Sequence, residues 1–139
     1  MSTSTDVPFR VVIDPFAEKH YVKDFQKKYK SHWSITRKAI VAQLNNVDLL
    51  IDSGRITPPI YQSTDRQHAI HKHSFAIAGM KQSAKSSGNR LILYIDYKLR
   101  TVSILLLYGK NRIGSPNETA KWRAVIEKQY PEIIENFIV

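Results

Sequence analysis

Two apolar runs separated by five residues constrain this chain more than any other feature. Arg90–Ile95 reads RLILYI and Thr101–Tyr108 reads TVSILLLY. Both are dense in β-branched and large aliphatic residues, too short for a buried helix, and joined through a polar turn at Asp96-Tyr97-Lys98. They predict an antiparallel hairpin at the centre of a sheet. The rest of the chain must cover that hairpin.

The covering elements can be read around it. Pro8–Asp14 (PFRVVID) predicts a first strand that Pro15 stops. From Ala17 to Lys30, Tyr21, Phe25 and Tyr29 recur every four residues among lysines, the pattern of an amphipathic helix. Ser31–Ser34 interrupts it and offers a hydroxyl cap for a second helix over 34–50, with Ile40, Leu44 and Val47 on its apolar stripe. Residues 51–72 read as a long loop with room for a short strand near Ile60. Ser74–Met80 (SFAIAGM) predicts a strand, Lys81–Gly88 an exposed polar loop and Gly109–Gly114 a basic turn. Ser115-Pro116-Asn117-Glu118 has the form of a capping box with proline at the first helical position. A helix carrying Trp122, Val125 and Ile126 should follow and end before Pro131, and 133–139 is apolar enough to dock. The expected order is β-α-α-(loop)-β-β-β-α. It is an α+β arrangement with an antiparallel sheet, an N-terminal αα-hairpin and a C-terminal helix packed on one face. With 139 residues this is one domain over 8–139, preceded by a flexible tail at 1–7.

Composition narrows the chemistry. There is no cysteine, which excludes disulfides and thiolate metal sites. No run is long and apolar enough to predict a membrane span, and the N-terminus lacks a signal pattern, so a cytoplasmic protein is expected. The net charge is +9, which points to a polyanionic partner or to a solvated basic surface. Its distribution favours the first. Arg66–Ile95 contains no Asp or Glu, yet holds Arg66, Lys72, Lys81, Lys85, Arg90 and three histidines. Neither a P-loop nor a dinucleotide fingerprint is present, and His71 with His73 alone is a weak metal signal. No cofactor or metal is expected.

Particular segments are similar to the RelE/ParE toxin superfamily. They are Lys85-Ser-Ser-Gly88-Asn89-Arg90-Leu-Ile-Leu-Tyr94, then Leu105-Leu-Leu-Tyr108-Gly109-Lys110-Asn111, with Ala78-Gly79-Met80-Lys81 before a Lys/Ser/Gly-rich loop. In that family a Gly-x-Arg motif opens the central hairpin, and the next strand ends in an aromatic or small residue followed by Gly or Ala and then Lys. The Tyr-Gly-Lys-Asn form resembles the HigB-like branch. The resemblance covers about 8–130, with its specific part at 74–122. It implies a type II toxin that cleaves mRNA on the ribosome and so inhibits translation. A cognate antitoxin, acidic or of helix-turn-helix type, would neutralise it. Two departures stand out. The stretch 51–72 is longer than a compact member needs. RelE also has a second arginine directly after its Gly-Lys pair, where this chain has Asn111 and then Arg112. Other targets for the same fold are a gyrase, as for ParE, or a nucleic acid bound without catalysis.

Metal-independent RNA cleavage needs a base for the 2′-hydroxyl, cations for the developing oxyanion and an acid for the departing 5′-oxygen. Arg90, beside a glycine at the start of a strand, can fork onto phosphate oxygens. Lys81 and Lys85 can serve as clamp or, with a pKa lowered by neighbouring cations, as base, or be plain solvated lysines. His73 has the better intrinsic pKa for proton transfer, and alternation puts it on one side with His71 if the strand starts early enough. Tyr108 could stack a base or act as acid, or simply pack. Lys110 belongs to the Gly-Lys motif, and Lys72, Asn111 and Arg112 are candidate RNA contacts.

Overall fold

The computed structural model describes residues 8–137; the expected tail at 1–7 and the last two residues lie outside the described residues. Strand β1 (Arg10–Ile13) leads into α1 (Pro15–Ala17), a wide π turn (Glu18–Val22) and α2 (Lys23–Tyr29). Then come α3 (Ser31–Leu44), α4 (Val47–Asp52), β2 (Tyr61–Gln62), β3 (His68–Ser74) and the single turn α5 (Ala84–Ser87). The central hairpin β4 (Arg90–Asp96) and β5 (Thr101–Tyr108) precedes α6 (Glu118–Gln129), α7 (Pro131–Ile134) and a 3₁₀ turn (Glu135–Phe137). Among the described residues no helix is long and apolar enough to cross a membrane.

The sheet has five strands in the order β1-β5-β4-β3-β2, with β4 and β5 inside it. It is mixed rather than antiparallel, because β1 lies parallel to β5, from Arg10 opposite Thr101 to Ile13 opposite Ile104. After β1 the chain enters α1 rather than a hairpin, and the helices carry it across to β2 at the far edge. That long crossover leaves β1 to fill the other edge. Pro15 is the first residue of α1, where its missing N–H costs nothing, and the Asp14 carboxylate caps the turn by accepting from the Phe16 N–H at 2.9 Å.

Helices cover both faces of the sheet, not one. Leu91, Ile92, Leu93 and Ile95 are fully buried, as are Ile104 through Leu107, so consecutive residues are enclosed on opposite sides. Such strands read as unbroken apolar runs instead of alternating ones. On one face Tyr61, opposite Ile70 in the ladder, meets Trp122 of α6 edge-on at 6.4 Å, and Phe137 lies 6.5 Å from Tyr94. On the other, His73 borders a cavity formed with Thr36 and Ile40 of α3.

Several expected elements move. The break expected at Ser31–Ser34 falls at Lys30, whose φ is 50°, so α3 begins at Ser31 without a hydroxyl cap, and the helix expected over 34–50 is split at Asn45–Asn46. The strand predicted at Ser74–Met80 is displaced to His68–Ser74. Phe75 and Ile77 are buried, but they anchor a loop: the Ala78 N–H donates to Thr36 Oγ1 of α3 at 2.8 Å, and Gly79 takes a positive φ of 82°. The predicted loop at 51–72 accordingly contains α4's end, β2 and most of β3. The capping box does not form. The N-cap of α6 is Asn117, in the left-handed region, so Ser115 lies outside the helix and Glu118 begins it with its side chain free to turn elsewhere. Pro131 does limit α6, and Ile133, Ile134 and Phe137 dock on the core.

Candidate functional site

Ladder register brings the two sequence motifs together at one end of the sheet. Arg90 at the start of β4 is paired with Tyr108 at the end of β5 and with Ser74 at the end of β3. Beyond the strands the contact continues. A Cβ on Gly88 would come within 3.0 Å of the Lys110 side chain, so the lysine stem lies over that glycine, whose φ is +77°. A Cβ on Gly109 would sit 3.2 Å from Asn89 Oδ1. Each glycine therefore makes room for a residue of the opposite motif.

Arg90 is held by its own loop. Its Nη1 donates to the Asn89 carbonyl at 2.9 Å and, at 3.4 Å, to that of Ala84, while Nη2 donates to the Lys85 carbonyl at 3.2 Å. Of the five guanidinium donors, Nε–H and one on Nη2 have no partner among the described residues. Lys85, on α5, and Lys81, just before it, are exposed. The turn is capped by Ser83, whose hydroxyl accepts from the Ser86 N–H. Lys81, Lys85 and Lys110 have no ion-pair partner among the described residues.

On the same face, the Tyr108 hydroxyl donates to Glu118 Oε2 at 2.6 Å, and Lys72 Nζ lies 3.7 Å from the same oxygen. Tyr108 is 1% exposed, so it has no free ring face on which a base could stack. Burial, reinforced by the Glu118 carboxylate, pushes its pKa far above the usual phenol value, and it stays protonated. The Glu118 side chain is 25% exposed, which leaves its carboxylate reachable from solvent.

His73 does not join this group. Neighbours in a strand point to opposite faces, so Lys72 shares the Arg90–Tyr108 face while His71 and His73 point to the other, where His73 borders the cavity with Thr36 and Ile40 of α3. Burial, and for His73 the neighbouring His71, lowers both imidazole pKa values; His71 Nδ1 also lies 2.9 Å from the Thr57 carbonyl oxygen. Arg112 sits at the margin. Its Nη1 meets Asp24 Oδ2 at 2.6 Å and its guanidinium lies 4.6 Å from the centre of the Tyr21 ring, which ties it to α2. Asn111 beside it is exposed. Among the described residues no three His, Asp or Glu side chains gather in a way that could hold a metal.

Glu118 and Asn89 escaped sequence reasoning. The Ser-Pro-Asn-Glu pattern points Glu118 to a helix cap, although it is the first acid after Asp96, at the far end of a second acid-free stretch. That isolation is a usable signal. Asn89 is 6% exposed, and nothing in its sequence context marks it as lining a cavity. No protein-family model, curated protein or solved structure matches the chain. The chemistry of the site rests on its own residues.

Proposed function

We propose that this chain is a metal-independent endoribonuclease of the RelE/HigB kind, a type II toxin that cuts mRNA on the ribosome in the cytoplasm. In this reading its β-α-α-β-β-β-α core is the RelE-like arrangement, and an antitoxin neutralises it. The observation that carries it is the meeting of Gly88–Arg90 with Tyr108–Lys110, beside the Glu118 carboxylate and among Lys72, Lys81, Lys85 and Lys110. Arg90, Lys110 and Lys85 can hold the scissile phosphate and the charge that grows on it. Glu118, oriented by the Tyr108 hydroxyl and Lys72, can take the proton from the 2′-hydroxyl. The 2′-oxygen then bonds to phosphorus and the bond to the 5′-oxygen breaks. A lysine ammonium protonates that oxygen, leaving a 2′,3′-cyclic phosphate and a 5′-hydroxyl.

One observation favours a second reading. Three Arg90 hydrogen bonds go to carbonyls of its own loop, the pattern of a structural arginine, as in a relative that keeps the fold and binds a gyrase or a nucleic acid without cleaving it. A translating extract with a defined mRNA separates the two. Cleavage with cyclic or 3′-phosphate ends, undiminished by chelators and abolished in Glu118→Gln, is expected. Intact mRNA, or ends carrying a 5′-phosphate, overturns the nuclease reading, and loss of gyrase supercoiling would identify the other target.

A further inference from the structure

Beside the contact of Asn89 with Gly109, a cavity of about 270 Å³ opens between α2 and the turn that follows β5. Tyr21 and Phe25, both nearly buried, form its floor, and the half-buried Tyr29 stands with Phe25 at 5.9 Å and 28°. Asn89 lines it: the residue is 6% exposed, yet its side-chain amide has no hydrogen-bond partner among the described residues. Asn111 borders the cavity as well, and Arg112, paired with Asp24, closes one side. The amide atoms themselves stay open to the cavity, so their donors and acceptor are available to a ligand that enters it. Gly109 is the residue that leaves room for it there.

We propose that this cavity is a pocket for a single nucleobase of single-stranded RNA, taken from the nucleotide next to the phosphate at Arg90. The inference rests on the RNA reading above and adds a site that selects the base. An amide presents one acceptor and two donors side by side, the complement of the edge of a base. Aromatic side chains supply the flat apolar contact that bases prefer. The volume is below the ~300–1,000 Å³ of pockets for drug-sized ligands and suits one planar heterocycle. Successive side chains point to opposite faces, but the Arg90 guanidinium folds back to donate to the Asn89 carbonyl at 2.9 Å, so a phosphate on the guanidinium and a base against the amide can belong to one strand.

The test is nitrogen-15 NMR of the full chain titrated with AMP, GMP, CMP, UMP and, as a base-free control, ribose 5-phosphate. At least one nucleotide should shift the Asn89 side-chain amide while ribose 5-phosphate leaves it in place. Asn89→Asp, which removes the amide donors, should change the ratio of affinities among the four nucleotides by about tenfold, and Tyr29→Ala should weaken all of them by about tenfold. If Asn89→Asp does not fold, Asn111→Asp at the exposed rim carries the same comparison. An Asn89 amide that no nucleotide moves, or that ribose 5-phosphate moves equally, overturns the pocket. Nucleotides filling it in a protein that leaves mRNA intact would overturn the nuclease reading and leave the pocket standing. Cleavage with a silent Asn89 would do the reverse.

Discussion

Arg90 carries two loads that a substitution can separate. Its guanidinium ties α5 to the start of β4 through the carbonyls of Ala84, Lys85 and Asn89, and its remaining N–H groups are the donors available to a phosphate. Arg90→Ala removes both, and cleavage should fall about 10²–10³-fold, the usual cost of one oxyanion contact. Arg90→Lys keeps the charge without the planar fork, so it should recover only part of the rate. Single-turnover cleavage alongside thermal unfolding decides it: a folded Arg90→Ala protein that cuts RNA at the parent rate would take the arginine out of the site. The arginine was legible in the sequence because a glycine and a β-rich run flank it. Glu118 was not, because Ser-Pro-Asn-Glu satisfies a local helix-start rule. The choice between capping and reaching Tyr108 is made by a strand ten residues away.

Among the elements, β4 and β5 were legible because burial on both faces writes itself as an uninterrupted apolar run. Strand β3 was not. His68-Ala-Ile-His-Lys-His-Ser74 looks like loop, and it is a strand only because Leu91–Tyr94 offers a ladder and two faces to fill. This buries two imidazoles on the face away from Lys72, with a testable consequence. Burial lowers the pKa of both His71 and His73 below the ordinary value near 6.5. As pH falls through that value the unfolded chain takes up protons that folded β3 refuses. Stability is therefore full above about pH 6.5 and declines below it. Urea midpoints should drop between pH 7.5 and 5.0, a range that stays above most carboxylate titration. His71→Gln with His73→Gln should flatten that dependence even if it lowers stability overall. An unchanged slope in the double variant would assign the acid sensitivity to another group.

At the scale of the whole molecule, the ladder gathers two acid-free loops at one end of the sheet. The acid-free stretches 66–95 and 97–117 contribute the loops 75–89 and 109–117, and the antiparallel pairing of β3, β4 and β5 delivers both loops to the Arg90 end. At the opposite end Asp96 accepts from the Leu99 N–H, and Asp48 lies 3.9 Å from Arg100. Lys81, Lys85, Lys110 and Arg112 on these acid-free loops draw a polyanion to the Arg90 end. Lys81 and Lys85 stand at that end, exposed and without ion-pair partners among the described residues, so each can release a counterion from a strand of RNA. Changing both to Gln should weaken binding across RNA sequences and flatten the dependence of log affinity on log salt by ~1–2 units. Lys98→Gln, in the exposed turn at the other end, should leave the slope as it is. The measurement is a salt titration of the three proteins against ribosomes or a model RNA. The acidic residues of an antitoxin would be drawn to the same lysines, because complementary charge steers association. Its on-rate should therefore fall in the double variant and hold in Lys98→Gln. Equal slopes in all three proteins would mean that the RNA runs along a different surface and that polarity of the sheet does not guide it.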